Sequence, residues 1–118
     1  MPVTVLIVDD HPSFRATVKA LLLADGFDVV GEAADGHSAL AAVKRLKPDL
    51  VLLDVQLPDM DGFTVANELC RHNGGGPKVV LTSSRDESDF GPIVARCGAS
   101  AFVPKGELSG AALRAVLR

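Results

Sequence analysis

Aliphatic runs and polar segments alternate along the chain, and their lengths predict five short strands separated by helices. The clearest run is Asp49–Asp54, in which four consecutive aliphatic residues precede a carboxylate. An uninterrupted aliphatic run of this length is typical of a strand buried on both faces of a sheet. The second predicted strand alternates less cleanly, so we expect it nearer an edge. The other predicted strands are Val3–Val8, Phe27–Ala33, Lys78–Thr82 and Ser100–Val103.

Apolar residues recur at helical spacing between these strands. Pro12 suits the first turn of the first helix, and Gly26 stops it. Strands that alternate with helices predict an α/β domain, in which a parallel sheet carries helices on both faces. The predicted helices are Pro12–Ala24, a second that starts at Asp35–Gly36 and is closed by Pro48, Phe63–His72, a short fourth at Pro92–Cys97, and Ser109–Arg118.

The second and third helices are expected to turn apolar residues towards the sheet. Asp61 is placed to cap the third helix. The segment Asn73–Pro77 is expected to be a flexible connection, because it contains three consecutive glycines. Since Pro92 fits a first helical turn, residues 83–91 are expected to form a long polar loop. The residues expected on inner faces are Leu40, Val43, Leu46, Val65, Ala66 and Leu69.

Composition and charge narrow the class of protein. With 118 residues, 47% of them apolar and 23% charged, the chain is expected to form one soluble domain over residues 1–118. A net charge of −3, no Trp or Tyr and only five Phe argue against direct nucleic-acid binding by this segment. No apolar run could span a bilayer and no signal sequence is evident, so a cytoplasmic location without membrane contact is expected. Cys70 and Cys97 are expected to be reduced thiols.

Reactive side chains follow four of the predicted strands. Asp9 and Asp10 follow the first strand and Asp54 ends the third, whereas Thr82 ends the fourth and Lys105 follows the fifth. The carboxyl ends of parallel strands meet at one edge of a sheet, where ligands bind. Three carboxylates, a hydroxyl and an amine at this edge indicate a phosphoryl-accepting carboxylate beside a divalent-metal pocket.

The three carboxylates would repel one another unless a cation compensates their charge. Magnesium binds one or two protein carboxylates, a phosphate oxygen and several waters. We therefore expect Asp10 and Asp54 to be direct ligands of Mg²⁺, and Asp9 to hold a metal-bound water.

The same residues resemble those of response-regulator receiver domains of two-component systems, and the resemblance extends from Val3 to about Leu117. It is carried by Asp9–Asp10, Asp54 with Pro58, Asp61–Gly62, Thr82–Ser83 and Phe102–Lys105. Within the family, Asp9–Pro12, Val30–Gly36 and Gly98–Phe102 resemble the NarL/LuxR-type subgroup.

The resemblance implies a flavodoxin-like fold with strand order 2-1-3-4-5. It implies that Asp54 accepts a phosphoryl group from a histidine kinase or a phosphotransfer protein. It also implies that the backbone carbonyl of Gln56 is a metal ligand, and that Thr82 and Lys105 bind the phosphoryl group. Such a protein is a signalling switch, which catalyses only its own phosphorylation and dephosphorylation.

The resemblance further implies that Phe102 packs inward when Thr82 binds the phosphoryl group. The change would appear on the face formed by the fourth helix, the fifth strand and the fifth helix, where partners dock. A homodimer through this face, or through the first and fifth helices, is compatible with the family. The subgroup implies transcriptional output through a DNA-binding domain outside this chain.

Other classes of protein are alternatives to this interpretation. A receiver-like scaffold could bind partners without phosphorylation and carry the same residues. A phosphatase of the haloacid dehalogenase type needs a second Asp two residues after the nucleophile, where this chain has Gln56. Flavin- and dinucleotide-binding modules need a phosphate-binding loop after the first strand, where Asp9 and Asp10 stand instead.

The three histidines are not expected to supply a phosphoryl group. His11 follows the acid pair and is interpreted as a surface or helix-capping residue, and His37 and His72 as solvent-facing. Receivers often have Pro after the lysine, whereas here Gly106 follows Lys105, so the geometry of this loop is not fixed by the family pattern.

Overall fold

The predicted strands form one parallel sheet in a computed structural model of the chain, which describes residues 2–71, 76–84 and 96–117. The strands are β1 (Thr4–Val8), β2 (Asp28–Ala33), β3 (Leu50–Asp54), β4 (Lys78–Thr82) and β5 (Ala101–Phe102). The described helices are α1 (Pro12–Ala24), α2 (Gly36–Leu46), α3 (Gly62–Arg71) and the C-terminal helix (Gly110–Leu117), with a 3₁₀ turn at Lys105–Glu107.

The strand order is β2-β1-β3-β4-β5, so the predicted α/β class and topology are confirmed. β3 is central and pairs with β1 and β4, while β2 lies at an edge as its irregular pattern predicted. The last residues of β3 and β4 face each other, because Asp54 is paired with Thr82. This register brings a carboxylate and a hydroxyl side by side at the carboxyl edge of the sheet.

β5 is shorter than the predicted strand Ser100–Val103. Only Ala101 and Phe102 form the strand, yet the backbone N–H groups of Ser100 and Val103 donate to carbonyls of β4 at 2.8 and 2.9 Å. The predicted segment therefore lies along β4 over its full length, and only its two central residues have strand geometry.

The central strand separates two hydrophobic cores. Val51 and Leu53 belong to the core on the side of α2 and α3, whereas Leu50 and Leu52 belong to the core on the side of α1 and the C-terminal helix. All five residues of β3 are buried, as the uninterrupted aliphatic run predicted. Burial of both faces fixes the depth at which the sheet delivers Asp54 to its edge.

Side chains cap three of the helices. Asp35 accepts a hydrogen bond from the Ser38 backbone at 2.8 Å, and Asp61 caps α3 by accepting one from the Thr64 backbone at 2.7 Å. At the C-terminal helix, the Ser109 hydroxyl accepts a hydrogen bond from the Ala112 backbone at 3.0 Å. Each cap satisfies a backbone N–H group that the helix itself leaves without a partner.

The inner face of α2 differs from the prediction. Ala39 and Ala42 are buried, whereas Leu40, Val43 and Leu46 are only partly buried and pack around the core. Leu46 nevertheless reaches the sheet, because a Cβ atom at Gly31 of β2 would lie only 2.7 Å from its Cδ1 atom. For α3 the prediction is confirmed, because Val65, Ala66 and Leu69 are all buried.

Several predictions fall outside the described residues. These are the short fourth helix from Pro92, most of the polar loop before it, His72 and Arg118. Among the described residues, neither cysteine forms a disulfide; Cys97 is buried and Cys70 is partly buried. No helix in the described part of the chain has the length and apolar character needed to cross a membrane.

Candidate functional site

The carboxyl edge of the sheet brings together the side chains of five residues predicted from the sequence. Asp9 and Asp10 follow β1, Asp54 ends β3, Thr82 ends β4, and Lys105 opens the 3₁₀ turn after β5. Asp9 continues the β1–β2 pairing, because its backbone N–H donates to the Ala33 carbonyl at 3.0 Å. Four strand ends thus supply one site.

Lys105 connects the two buried carboxylates. Its ammonium nitrogen lies 2.8 Å from Asp9 Oδ2 and 3.3 Å from Asp54 Oδ2. The ammonium also lies 4.2 Å from the centroid of the Phe14 ring, and the Lys105 backbone N–H donates to the Ser83 carbonyl at 2.9 Å. These contacts with α1, with β3 and with the residues that directly follow β1 and β4 hold the cation in place, although Gly106 stands where receivers often have a proline.

Burial and charge move the pKa values of Asp9 and Asp54 in opposite directions. Burial raises the pKa of Asp54, and the nearby Asp9 charge raises it further, despite the Gln56 backbone N–H and the Lys105 ammonium. Burial also opposes ionisation of Asp9, but Lys105 and the His11 donors outweigh it and lower the pKa of Asp9. Burial would lower the pKa of Lys105, yet the two carboxylates raise it. Lys105 therefore forms its closer ion pair with Asp9, at 2.8 Å, and its longer one with Asp54, at 3.3 Å.

The hydroxyl of Thr82 is buried and has no hydrogen-bond partner in the described part of the chain. The residue is fully buried, and within residues 2–71, 76–84 and 96–117 no group forms a hydrogen bond with its Oγ1 atom. A buried hydroxyl without a partner costs about 1–3 kcal/mol. Thr82 lies opposite Asp54 in the register, so its hydroxyl is available to an oxygen atom bound next to that carboxylate.

The acidic cluster has the composition of a metal site. One ligand atom from each of Asp9, Asp10, His11 and Asp54 can be chosen so that all lie within 4.8 Å of one another. Clustered carboxylate oxygens suit a hard divalent cation, and the raised pKa of Asp54 shows that one ammonium does not compensate both buried acids. The residues present therefore fit the cation that the sequence implied.

His11 belongs to this cluster, which the sequence interpretation did not predict. Its ring is largely exposed, as expected for a surface residue, but its side chain does not cap α1. Instead His11 Nδ1 lies 2.9 Å from Asp9 Oδ1 and 3.2 Å from Asp10 Oδ1. The feature of the sequence that could have indicated this contact is the position of His11 directly after Asp9 and Asp10.

The loop after Asp54 folds back on itself. Gln56 and Asp61 form an antiparallel bridge, and the Gly62 N–H donates to the Val55 carbonyl at 2.7 Å. The Gln56 N–H donates to Asp54 Oδ1 at 3.2 Å. A Cβ atom at Gly62 would overlap the Asp54 carbonyl oxygen and lie 2.7 Å from Val55 Cα, so glycine permits this close return of the chain.

Phe102 lies on β5, which β4 separates from β3 and its Asp54. It is buried and belongs to the core on the side of α2 and α3, where it is paired with Leu81 across β4 and β5. The aromatic ring thus occupies an inward position next to the strand that carries Thr82.

The strand order and the acidic cluster define a flavodoxin-like α/β domain with its site at the carboxyl edge of the sheet. The chain belongs to the response regulator receiver domain family, whose family model matches residues 5–118. Its similarity extends to NarL- and EvgA-type response regulators, in agreement with the subgroup that the sequence resembled.

Two curated relatives from Escherichia coli strain K12 illustrate this similarity. The nitrate/nitrite response regulator protein NarL is 37% identical over 105 residues, which are 88% of this chain and 48% of that protein. The DNA-binding transcriptional activator EvgA is 33% identical over 102 residues, which are 86% of this chain and 50% of that protein. The chain therefore spans about half the length of these relatives.

Solved structures agree with the fold. A signal receiver domain assigned to NarL from Mycobacterium tuberculosis is 37% identical, with a TM-score of 0.85 over 98% of this chain and 97% of that one. The BeF₃-activated receiver domain of RstA from Klebsiella pneumoniae is 34% identical, with a TM-score of 0.81 over 98% of this chain and 95% of that one.

Proposed function

We propose that this receiver domain is a phosphorylation-dependent switch in which Asp54 accepts a phosphoryl group from the histidine of a kinase or phosphotransfer protein. The observation that supports this role most strongly is the convergence on one buried carboxylate. Asp54 faces the Lys105 ammonium at 3.3 Å and is paired in register with the buried Thr82, whose hydroxyl has no partner in the described part of the chain. A cation, a nucleophile and a hydrogen-bond donor are the groups that phosphoryl transfer requires.

The metal of this site is proposed to be Mg²⁺. Asp10, Asp54 and the Gln56 carbonyl would hold it directly, and Asp9 would hold one of its waters. When bound, the ion neutralises the carboxylates and the charge that develops on the phosphoryl oxygens.

The side chains of this domain would then carry the transfer. An Asp54 carboxylate oxygen forms a bond to phosphorus in line with the departing imidazole nitrogen, whose bond to phosphorus breaks. The Lys105 ammonium neutralises negative charge on the transferring oxygens, and positioning with electrostatics supplies the rate. The product is an acyl phosphate, which water can hydrolyse, so the signal is transient.

Thr82 would transmit the event by donating a hydrogen bond to a phosphoryl oxygen. The unpartnered hydroxyl gains a partner only in the phosphorylated state, which biases its segment towards the site. Phe102 on the neighbouring strand already lies inward in this structure. Phosphorylation would therefore stabilise this inward position and so bias the face formed by the predicted fourth helix, β5 and the C-terminal helix.

The surfaces available to partners extend this proposal. Leu21 and Leu23 on α1 are large hydrophobic residues with 36% and 51% of their surface exposed, which supports a homodimer through α1 and the C-terminal helix as one alternative. The face around β5 is the other surface through which a homodimer could form.

Because the relatives are about twice as long and are named as regulators of transcription or nitrate response, we propose that output passes through a DNA-binding domain outside this chain. A cytoplasmic location belongs to the same proposal.

The test is intact-mass spectrometry after incubation with acetyl phosphate, with and without Mg²⁺, beside an Asp54→Ala variant. We expect the parent protein to gain one phosphoryl group only when Mg²⁺ is present, and the variant to gain none. Absence of the gain in the parent protein would favour a receiver-like scaffold that works without phosphorylation. A gain retained by Asp54→Ala would exclude Asp54 as the acceptor.

A further inference from the structure

Asp59, at the tip of the loop between β3 and α3, binds the first turn of α2. Its Oδ1 atom accepts a hydrogen bond from the Gly36 backbone at 2.7 Å, and its Oδ2 atom accepts one from the His37 backbone at 2.9 Å. The same Oδ2 lies 2.6 Å from His37 Nδ1. The backbone hydrogen bond from Gly36 is the main reason that the pKa of Asp59 falls to about 2.

An apolar contact holds the same loop tip. Met60 packs against Gly36, where a Cβ atom would lie only 2.6 Å from the Met60 sulfur. Met60 is also packed against the core on the side of α2 and α3. The tip is therefore fixed by hydrogen bonds and by packing on a helix that begins more than twenty residues earlier in the chain.

The base of this loop carries the groups of the proposed phosphorylation site. Gln56 bridges to Asp61 across the loop and donates its backbone N–H to Asp54 Oδ1 at 3.2 Å. Asp54 ends a buried strand, so one end of the loop is rigid, whereas Gln56 is exposed and its backbone is held by these two contacts. The chain between Gln56 and Asp61 passes through the tip, so the contacts that hold the tip also bear on the orientation of the Gln56 carbonyl.

We propose that Asp59 is a positioning residue, which orients the Gln56 carbonyl towards the metal by clamping the loop tip to the first turn of α2. This inference rests on the proposed function, because it concerns the Mg²⁺ of the same site. Groups that orient metal ligands without touching the metal contribute about 10–100-fold to affinity. Asp59 acts through the loop and does not contact the reacting atoms.

Three variants separate this role from a general loss of stability. Asp59→Ala removes the clamp, and Asp59→Asn keeps one amide oxygen that can accept a hydrogen bond from Gly36. Asp35→Ala is the matched control, because the hydrogen bonds by which Asp35 caps the same helix end go to Ser38 and not to the loop. Mg²⁺ affinity is measured by isothermal titration calorimetry, and phosphorylation by acetyl phosphate is measured over a range of Mg²⁺ concentrations.

We expect Asp59→Ala to weaken Mg²⁺ binding about tenfold and to shift the half-maximal Mg²⁺ concentration for phosphorylation by the same factor. At saturating Mg²⁺ its phosphorylation rate should stay within about twofold of the parent rate, since the reacting groups are intact. Asp59→Asn should recover part of the affinity. Asp35→Ala should lose thermal stability while its Mg²⁺ affinity stays unchanged.

Unchanged Mg²⁺ affinity in Asp59→Ala would overturn the positioning role. Equal weakening in Asp59→Ala and Asp35→Ala would also overturn it, since disruption of α2 would then explain both. A parent protein that binds Mg²⁺ with the expected Asp59 dependence but takes up no phosphoryl group would overturn the proposed function alone. A parent protein that binds no Mg²⁺ would overturn both proposals.

Discussion

Asp54 combines burial with a raised pKa. Only 4% of its surface is exposed, and its carboxylate lies next to the buried Asp9, which is already paired with Lys105 at 2.8 Å. The pKa of Asp54 is raised first by burial and then by the Asp9 charge. A site of this kind favours the binding of further positive charge, because a cation relieves the repulsion that folding imposes.

The raised pKa of Asp54 predicts a stability change with a defined sign. Folding favours the protonated carboxyl, so its contribution to stability is present at low pH and is lost as the pH rises through the folded-state pKa. Without Mg²⁺ at neutral pH, Asp54→Asn should therefore raise the Tm, on the order of 5 °C. Differential scanning calorimetry in EDTA measures this shift.

The pH dependence and a second variant control that measurement. The advantage of Asp54→Asn should shrink when the pH is lowered to the range in which unperturbed carboxyl groups protonate, about 4. Asp10→Asn removes the same charge at a more exposed position, so we expect a smaller gain. A lower Tm for Asp54→Asn at neutral pH would contradict the electrostatic account.

The sequence predicted which residues lie near the site only where a strand places them. Asp54 and Thr82 end strands and Asp9 directly follows one, so the parallel topology alone brings them to one edge. His11 was interpreted as a surface residue because its local sequence does not show that its ring turns back to Asp9. The partners of Asp59 lie 22 and 23 residues earlier in the chain, and no local pattern reports such a contact.

At the scale of elements, the start of α3 decides the geometry of the loop after Asp54. Gly62 begins the helix and packs directly against the backbone of Asp54 and Val55. Asp61 caps the helix immediately before it. The atoms that a Cβ at Gly62 would meet belong to the backbone at the end of a buried strand. This backbone cannot move aside as a flexible side chain would.

This contact predicts that Gly62→Ala damages both the fold and the site. We expect a loss of at least about 2 kcal/mol in the free energy of unfolding, because overpacking in a close backbone contact typically costs 1–3 kcal/mol or more. The measurement is urea unfolding followed by far-UV circular dichroism.

Gly106→Ala is the matched control for this prediction. Apart from its chain neighbours, no atom of the described residues lies within 4 Å of a Cβ atom built at Gly106, although the residue directly follows Lys105. Its change in stability should stay within about 0.5 kcal/mol. Equal effects of the two substitutions would show that the approach of Gly62 to Asp54 has no special importance.

Hydrophobic periodicity predicted the elements better than their inner faces. β1, β3, β4, α1 and α3 lie within one residue of the predicted bounds where these can be compared. In α2, however, alanines occupy the fully buried positions, and the larger residues that the pattern favoured are only partly buried against the same core. Sequence alone does not report which of these side chains the tertiary packing buries completely.

At the scale of the whole molecule, the site joins the halves of the sheet. Asp9 and Asp10 follow β1 and Asp54 ends β3, so one bound cation would link segments that are distant in the chain, while Lys105 reaches the same carboxylates from the segment after β5. A ligand that binds only the folded state stabilises it by an amount set by its concentration relative to Kd. Metal binding should therefore be visible as global stabilisation.

We predict that Mg²⁺ raises the Tm of the parent protein in differential scanning calorimetry. At one hundred times its Kd, the expected stabilisation is about 2.7 kcal/mol, or on the order of 10 °C for a domain of this size. Asp10→Asn should lose most of this shift. Asp28→Asn, which alters an exposed residue at the start of β2, should keep it. An equal shift in both variants would place the ion elsewhere.

The strand order came from the family resemblance, because five alternating strands and helices are compatible with other arrangements of a parallel sheet. The structure and the family match confirm that resemblance. The side-chain roles depend on chemistry at the site and stay predictions for Asp54, Thr82, Lys105 and Phe102.

The most direct test of the central claim is to locate the phosphoryl group on the chain. Borohydride reduces an acyl phosphate to an alcohol, which converts a phosphorylated aspartate into homoserine. After phosphorylation by acetyl phosphate with Mg²⁺ and reduction, tandem mass spectrometry of peptides should find homoserine at residue 54 and nowhere else. Homoserine at Asp9 or Asp10, or at no residue, would contradict the assignment of Asp54 as the phosphoryl acceptor.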